Sequence, residues 1–470
     1  MDKVLNQRQV KAVLYAKEKG KLRTHKFCRC CRRQGGEKKI TVRCGDKLKF
    51  LPQIFGYVII ILYVWRLLTL KKDDMKKMFI LLMGVIASLL MSCGSGEESM
   101  EALIKDRLER SAQHYLRMAE SLKDQPDKLP RTINAEGMLV TSNSGWWCSG
   151  FVPGTLWYLY EYTKDDVFLT YARDYTARIE KEQFNKGTHD LGFMLYCSFG
   201  NGYRLTGAKP YSEILLTGAE SLISRFNPTV GCIKSWNSNA RWQFPVIIDN
   251  MMNLEFLFWA SRESGDPKYR DICISHADVT TANHFRPDYS TFHVVSYDTI
   301  TGQPDRKNTA QGFSDASAWA RGQAWGFYGY VVMYRETKDV KYLEQAKHIA
   351  AFLLHHPNLP ADKIPYWDFN APEIPNELRD ASAGAIMASA LIELSGYVDA
   401  TLAKEYMDVA EIQLRTLSSP EYFAEPGTNG NFILKHSVGS LPGKSEVDVP
   451  LTYADYYYIE ALLRYQAVKK

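Results

Sequence analysis

A helical hairpin that repeats along the chain is the feature that most constrains its fold. Each repeat ends one amphipathic stretch, turns at Thr or Ser next to Gly or Lys, and starts another helix with an early inward Tyr or Phe. Such self-similarity is typical of stacked helical pairs, because each pair buries its apolar face only against its neighbours. The pattern predicts about a dozen helices over residues 101–470. The junctions begin at Tyr162, Leu205, Glu263, Glu336 and Leu394.

The repeat fits an open solenoid or a closed ring of inner and outer helices. Strand signals are scarce between the hairpins. The longest loops, which are rich in polar and aromatic residues, precede alternate helices, as they would if all of them met on one face. We therefore expect an all-α domain, an (α/α)6 barrel of six helical hairpins.

Charge divides the chain into a basic leader and an acidic body. The 470 residues carry a formal net charge of +5. Residues 1–92 hold 21 Lys and Arg against 6 Asp and Glu, whereas the remainder holds 37 against 47. Because the body is acidic, the overall positive balance gives no reason to expect nucleic-acid binding.

Two apolar runs lie in the leader. Residues 50–70 are long enough to span a bilayer, although Arg66 interrupts them. Residues 75–93 begin with Met-Lys-Lys and end with a small residue ahead of Cys93, as a signal peptide does. The letters LMSC resemble the bacterial lipobox, which implies cleavage before Cys93 and lipidation of that residue.

These features predict four segments. Residues 1–74 are either a basic segment with a membrane span or the product of an over-long gene start. Residues 75–93 are a lipoprotein signal peptide, 94–100 are a linker and 101–470 form the helical domain. The protein is then expected in the bacterial periplasm or at the outer membrane, anchored by lipid on Cys93.

Two aspartates stand at the start of apolar helices. Asp190 follows His189 and opens the apolar run 191–199, and Asp249 separates PVII from NMMNLEFLFWA. An Asp in a first turn commonly caps the helix by accepting backbone N–H groups. An Asp with apolar flanks also loses hydration, which raises its pKa and suits a proton donor. For each aspartate the sequence leaves both interpretations open.

Three further polar or aromatic residues stand out. Arg321 and Trp325 lie four apart, on one helix face, where the guanidinium can stack on the ring or bind a carboxylate. His293 lies in a loop rich in Tyr and Thr and suits either a structural hydrogen bond or catalysis. No metal-ligand cluster, nucleotide-binding loop or nucleophile elbow occurs in the body, so neither a metal nor a cofactor is expected.

Four stretches together resemble the unsaturated glucuronyl hydrolases, family 88 of the glycoside hydrolases. They are HDLGF, IIDNMMNLEFLFWAS, QGFSDASAWARGQAWGFYGY and YADYYYIEALLR. The resemblance covers nearly all of residues 101–470 and implies an (α/α)6 barrel. It also implies removal of a 4,5-unsaturated uronic acid from the non-reducing end of lyase-generated oligosaccharides of the glycosaminoglycan type. The reaction would be hydration of the C4=C5 vinyl ether.

The same resemblance implies roles for individual residues. Asp249 would protonate C4 and activate the water that adds at C5. Asp190 would orient substrate hydroxyls and stabilise developing positive charge, with His189 as a contact. The remaining substrate-binding candidates are Trp147, Trp236 and Trp325 for ring stacking, and Arg321, Gln311 and His293 for the substrate carboxylate.

A sulfate site and two other functions stay open. Some family members bind sulfate through Ser and Lys near the C-terminus, where this chain has Ser440 and Lys444; a solvated loop is the alternative. An unsaturated rhamnogalacturonyl hydrolase would share the barrel and the chemistry. A non-catalytic surface glycan-binding lipoprotein would need neither aspartate, so both Asp motifs argue against it. We expect unsaturated uronyl oligosaccharides as partners, and a monomer or weak homo-oligomer.

Overall fold

The computed structural model describes residues 98–469. The predicted leader, its signal peptide, Cys93 and most of the linker lie outside these residues. Within residues 98–469, no helix combines the length and the apolar character that crossing a membrane requires.

The twelve α-helices between residues 98 and 469 alternate between an outer and an inner ring. The outer helices are α1 (Met100–Ser121), α3 (Asp166–Ala177), α5 (Lys209–Ile223), α7 (Lys268–His284), α9 (Val340–His355) and α11 (Ala400–Leu417). The inner helices are α2 (Phe151–Thr163), α4 (Asn201–Thr206) with the π-helix Gly192–Gly200 that leads into it, α6 (Leu254–Ser264), α8 (Ala320–Thr337), α10 (Ala381–Ser395) and α12 (Thr452–Lys469). Because α12 packs against α2, the inner ring closes, and the predicted (α/α)6 barrel is confirmed.

Burial explains which helices lie inside. Helix α10 is buried at every position except Glu393, and α8 is buried from Ala320 to Met333. The outer helix α11 instead buries one stripe at helical spacing, which includes Tyr406, Val409 and Leu417. A helix that is apolar all round needs neighbours on every side, whereas an amphipathic one needs a single face.

Short antiparallel strands occupy the loops, in four small sheets within the described chain. They were not predicted, because strands of two to five residues leave little periodicity to recognise. Three sheets have two strands each, and they pair β1 (Leu129–Ile133) with β2 (Leu139–Ser142), β3 (Phe226–Asn227) with β4 (Cys232–Ile233), and β8 (Ser437–Ser440) with β9 (Ser445–Val449). In the fourth sheet, β6 (Val294–Tyr297) lies between β5 (Pro245–Ile247) and β7 (Pro304–Asn308).

One of these sheets carries two predicted site residues. Ile247 in β5 pairs with Val294 in β6, and the Ile248 N–H donates to the His293 carbonyl at 3.0 Å. Asp249 and His293, 44 positions apart, are thereby placed next to each other.

An ionic network joins the inner helices at the end away from their N-termini. Arg335 of α8 and Arg464 of α12 both contact Glu393 of α10, at 3.0 and 2.8 Å. The Tyr328 hydroxyl donates to Glu460 at 3.1 Å. These partly buried pairs connect three neighbouring helices and hold the far end of the ring together.

Candidate active site

The predicted functional side chains lie where the inner helices begin. Trp147 precedes α2, Asp190 precedes the π-helix, Asp249 precedes α6, and Arg321 lies in the first turn of α8. Tyr453, which was not predicted, lies in the first turn of α12. The Trp147 and Tyr453 rings have centroids 4.9 Å apart, and the Arg321 guanidinium carbon lies 5.3 Å from the Tyr453 centroid. Residues far apart in the sequence thus converge on one end of the barrel.

Asp249 lies in a short 3₁₀ turn, Ile248–Asn253, with only 8% of its surface exposed. Within residues 98–469 no side chain caps this turn, and Oδ2 of Asp249 has no hydrogen-bond partner. Burial raises the pKa of Asp249 to about 7, while the Arg321 charge opposes the rise and the Asp190 charge adds to it. The carboxyl is therefore not a helix cap and holds a proton near neutral pH, as its apolar flanks predicted.

His293 presents a protonated nitrogen to Asp249. Its Nδ1 accepts the backbone N–H groups of Ala310 and Gln311 at 3.1 and 3.2 Å, so the single proton of the neutral ring sits on Nε2. Nε2 lies 3.7 Å from Oδ2 of Asp249. Burial holds the pKa of His293 well below its usual range, with Arg321 acting in the same direction, so the ring is neutral. The Trp319 ring, 4.5 Å away, fixes its orientation.

Asp190 has two local polar neighbours. Its Oδ2 accepts the Thr188 hydroxyl at 2.5 Å, and Oδ1 lies 3.3 Å from Nε2 of His189. The π-helix that follows has Leu191 at its capping position, and no side chain of the described chain caps it. The capping interpretation is therefore wrong for Asp190 as well, and its carboxylate faces the site.

Arg321 ties the β8–β9 hairpin to the barrel. Its guanidinium pairs with the buried Asp380 at 3.1 Å and donates to the carbonyls of Val438 and Gly439, the latter at 2.6 Å. Gln311 donates to the same Gly439 carbonyl at 3.0 Å. The donors that were predicted to meet a substrate carboxylate thus already hold the hairpin that borders the site.

The three predicted stacking tryptophans differ in accessibility. Trp147 and Trp236 are half-buried, and the Trp236 ring lies edge-on to His293 with centroids 5.8 Å apart. Trp325 is 0% exposed and packs against Phe193, with centroids 5.1 Å apart. A completely buried ring offers no face to a sugar, so the structure corrects this part of the prediction: Trp325 supports the floor of the site.

The two candidate sulfate ligands lie on the β8–β9 hairpin. The Ser440 hydroxyl accepts the Gly443 N–H at 3.2 Å, and Lys444 is exposed at the tip of the hairpin. Their role toward sulfate stays a prediction.

Three residues of the site were missed from the sequence. Asp380 caps α10 by accepting the Ser382 N–H at 3.0 Å, and the letters D-A-S ahead of an apolar helix could have indicated that cap. Asn253 follows Asp249 by four positions and contacts His189. Tyr453 lies in the first turn of the last inner helix, and nothing in its local pattern sets it apart from the neighbouring tyrosines.

The arrangement supplies a buried carboxyl that holds a proton, a second carboxylate, and neutral imidazoles whose Nε2 atoms lie 3.7 and 3.3 Å from the first and the second carboxyl group. Half-buried indole rings border it. Such a site can deliver a proton to a substrate carbon and take one back from water without a change in its net charge. Within residues 98–469, no group of three or more His, Cys, Asp or Glu side chains is placed to hold a metal ion.

Comparison with known proteins agrees with this chemistry. Residues 117–466 match the profile of Glycosyl Hydrolase Family 88. An unsaturated glucuronyl hydrolase from Formosa agariphila is 49% identical over 322 residues, which cover 68% of this chain and 80% of the relative. An unsaturated chondroitin disaccharide hydrolase from Streptococcus pneumoniae is 35% identical over 326 residues, which cover 68% of this chain and 81% of the relative.

A solved structure supports the same assignment. The crystal structure of an unsaturated glucuronyl hydrolase specific for heparin superimposes with a TM-score of 0.76 at 50% identity, covering 78% of this chain and 98% of that one. The family match at residues 117–466 contains both aspartates. The chain belongs to glycoside hydrolase family 88, the unsaturated glucuronyl hydrolases.

Proposed function

We propose that this hydrolase removes the 4,5-unsaturated uronic acid from the non-reducing end of oligosaccharides that a polysaccharide lyase has released, with heparin-type fragments as its substrates. The observation that carries the proposal is Asp249, a buried carboxyl whose pKa is raised to about 7 and whose Oδ2 has no partner within the described chain. The heparin assignment is supported by the similarity to the heparin-specific hydrolase at 50% identity.

The reaction is a hydration, after which the hydrated ring opens and the leaving sugar is released. Asp249 gives its proton to C4 of the unsaturated ring, and positive charge develops on C5 and the ring oxygen. The Asp190 carboxylate stabilises that charge. Water then adds at C5 and returns a proton to Asp249, so one water is consumed and the enzyme is regenerated. The C5 hemiketal opens, and the C1 hemiacetal that results expels the leaving sugar.

Burial suits Asp249 to this proton transfer. A general acid works best when its pKa lies near the working pH, because it is then protonated and still gives up its proton readily. The neutral His293 leaves the proton on Asp249, whereas an imidazolium at 3.7 Å would favour the ionised carboxylate. Hydration at C5 does not use the paired-carboxylate geometry of ordinary glycosidases, so the spacing of Asp190 and Asp249 predicts no anomeric outcome.

Loss of the ultraviolet absorbance of the conjugated enoate tests the proposal directly. We expect decay with disaccharides from heparin lyase, and none with Asp249→Asn. Asp298→Asn, which changes a partly exposed aspartate in the β6–β7 turn, is expected to retain the wild-type rate. Decay on pectin-derived fragments alone would replace the proposal with rhamnogalacturonyl hydrolysis, and no decay on any fragment would favour the glycan-binding lipoprotein.

We also propose that the mature protein is lipidated on Cys93 and anchored in the periplasm or at the outer membrane, as a monomer or weak homo-oligomer. The LMSC letters and the apolar run before them support this proposal. Cells fed an alkyne-tagged fatty acid should label the wild type and not Cys93→Ser. An intact mass that retains Met1 would contradict both the cleavage and the over-long gene start, and light scattering of detergent-solubilised protein reports the oligomeric state.

A further inference from the structure

One buried amide lies between the two aspartate segments. Oδ1 of Asn253 accepts the Gly192 N–H at 2.9 Å, and Nδ2 lies 3.3 Å from both Nδ1 of His189 and Oδ1 of Asn250. Asn253 closes the 3₁₀ turn that contains Asp249, whereas Gly192 begins the π-helix two residues after Asp190. A single side chain therefore connects the backbone of one aspartate segment to the other.

The contact with Gly192 indicates the hydrogen-bond directions in this network. A backbone N–H only donates, so the Asn253 atom that faces Gly192 is the amide oxygen and the amide NH2 faces His189. Nδ1 of His189 then accepts, and its ring proton sits on Nε2, which lies 3.3 Å from Oδ1 of Asp190. Burial lowers the pKa of His189, so the ring is neutral. The Arg225 charge acts on this pKa in the same direction as burial, whereas the Asp190 charge and a hydrogen bond with Asn250 oppose it.

Close backbone approach supports the same geometry. A Cβ atom on Gly192 would lie 2.5 Å from Oδ1 and 2.9 Å from Cα of Asn253. The π-helix and the 3₁₀ turn thus touch at this point with no room for a methyl group.

We propose that Asn253 is a positioning residue, which sets the spacing of the two aspartates and holds His189 with its Nε2–H directed at Asp190. The amide acts through His189 and the Gly192 backbone and does not touch substrate. Asn253→Asp keeps the shape and the contact with Gly192 but removes the donor to His189. Gly192→Ala keeps Asn253 and both aspartates and forces the two segments apart.

The kinetic arm of the test rests on the proposed function and uses disaccharides from heparin lyase. Asn253→Asp and Gly192→Ala should each lower kcat by about 10- to 100-fold, with KM changed by less than about threefold. The matched control is Asn201→Asp. Asn201 is a buried inner-ring amide that donates to the Cys197 carbonyl at 2.9 Å, and its variant should keep kcat within about threefold.

A spectroscopic arm does not depend on activity. Long-range 1H–15N spectra of the 15N-histidine-labelled protein at about pH 8 should show His189 protonated on Nε2, and in Asn253→Asp protonated on Nδ1. The variant His189→Gln identifies the signals. A wild-type His189 protonated on Nδ1 overturns the proposal even if the variants fail to fold. The proposal is also overturned if folded Asn253→Asp keeps the wild-type kcat, or if that variant changes KM alone.

Discussion

The strongest quantitative consequence of the site is that Asp249→Asn should remove activity and yet gain stability relative to the wild type as pH rises. Burial raises the pKa of Asp249 from its ordinary value of 3.8 to about 7. Between these values the folded protein binds a proton that the unfolded chain has released, so rising pH lowers the free energy of unfolding. One pKa unit corresponds to about 1.4 kcal/mol, which gives a total cost of about 4 kcal/mol above pH 7.

The measurement compares the two proteins at two pH values. Urea unfolding followed by tryptophan fluorescence gives the free energy of unfolding at about pH 5 and about pH 8. From the lower to the higher pH, the variant should gain about 3 kcal/mol on the wild type, because an amide has no proton to release. The pH-dependent difference isolates ionisation from any constant effect of the amide on packing.

Asp298→Asn is the control of opposite sign. Hydrogen bonds from the backbone N–H groups of Thr301 and Ile300 lower the pKa of the partly exposed Asp298, so its variant should gain no stability with rising pH. Parallel pH dependence of wild type and Asp249→Asn would refute the reasoning, since Asp249 would then titrate as an ordinary carboxyl and could not serve as the acid.

The remaining predictions concern rate, hairpin anchoring and sulfate. The kcat/KM of the wild type should fall as pH rises through about 7, because only protonated Asp249 can donate; a rate that rises over that range contradicts this role. Arg321→Leu leaves the buried Asp380 without its cation and should lower the free energy of unfolding by about 3–5 kcal/mol in urea titrations; unchanged stability would show that the ion pair does not hold the hairpin. Lys444→Ala should raise KM for sulfated fragments by about fivefold and leave unsulfated ones unchanged, whereas equal effects on both would remove its proposed role.

The ring of helices could be predicted because its signal is periodic. Outer helices such as α11 repeat apolar residues at helical spacing, and the turns between hairpins share one pattern. The raised pKa of Asp249 could also be predicted, because its apolar flanks are local in the sequence. Both inferences use only neighbouring residues.

The partners of Arg321 could not be predicted in this way. Its guanidinium is held by carbonyls 117 and 118 positions further along the chain, on a hairpin whose strands are four and five residues long. The burial of Trp325 could not be predicted either. Helix α8 is buried on all sides over its first fourteen residues, so residue spacing along it does not indicate which side faces the site. Tertiary contacts decide both outcomes.

The common direction of the inner helices has an electrostatic consequence. Each helix has a macrodipole that places roughly half a positive charge at its N-terminus, and the inner helices of the described barrel all begin at the site. From Cys93 onward the chain holds 37 basic against 47 acidic residues, a balance that repels anionic sugars at long range. The converging helix ends supply a local positive potential where the uronate must arrive, so an acidic protein can still receive an acidic substrate at one face only.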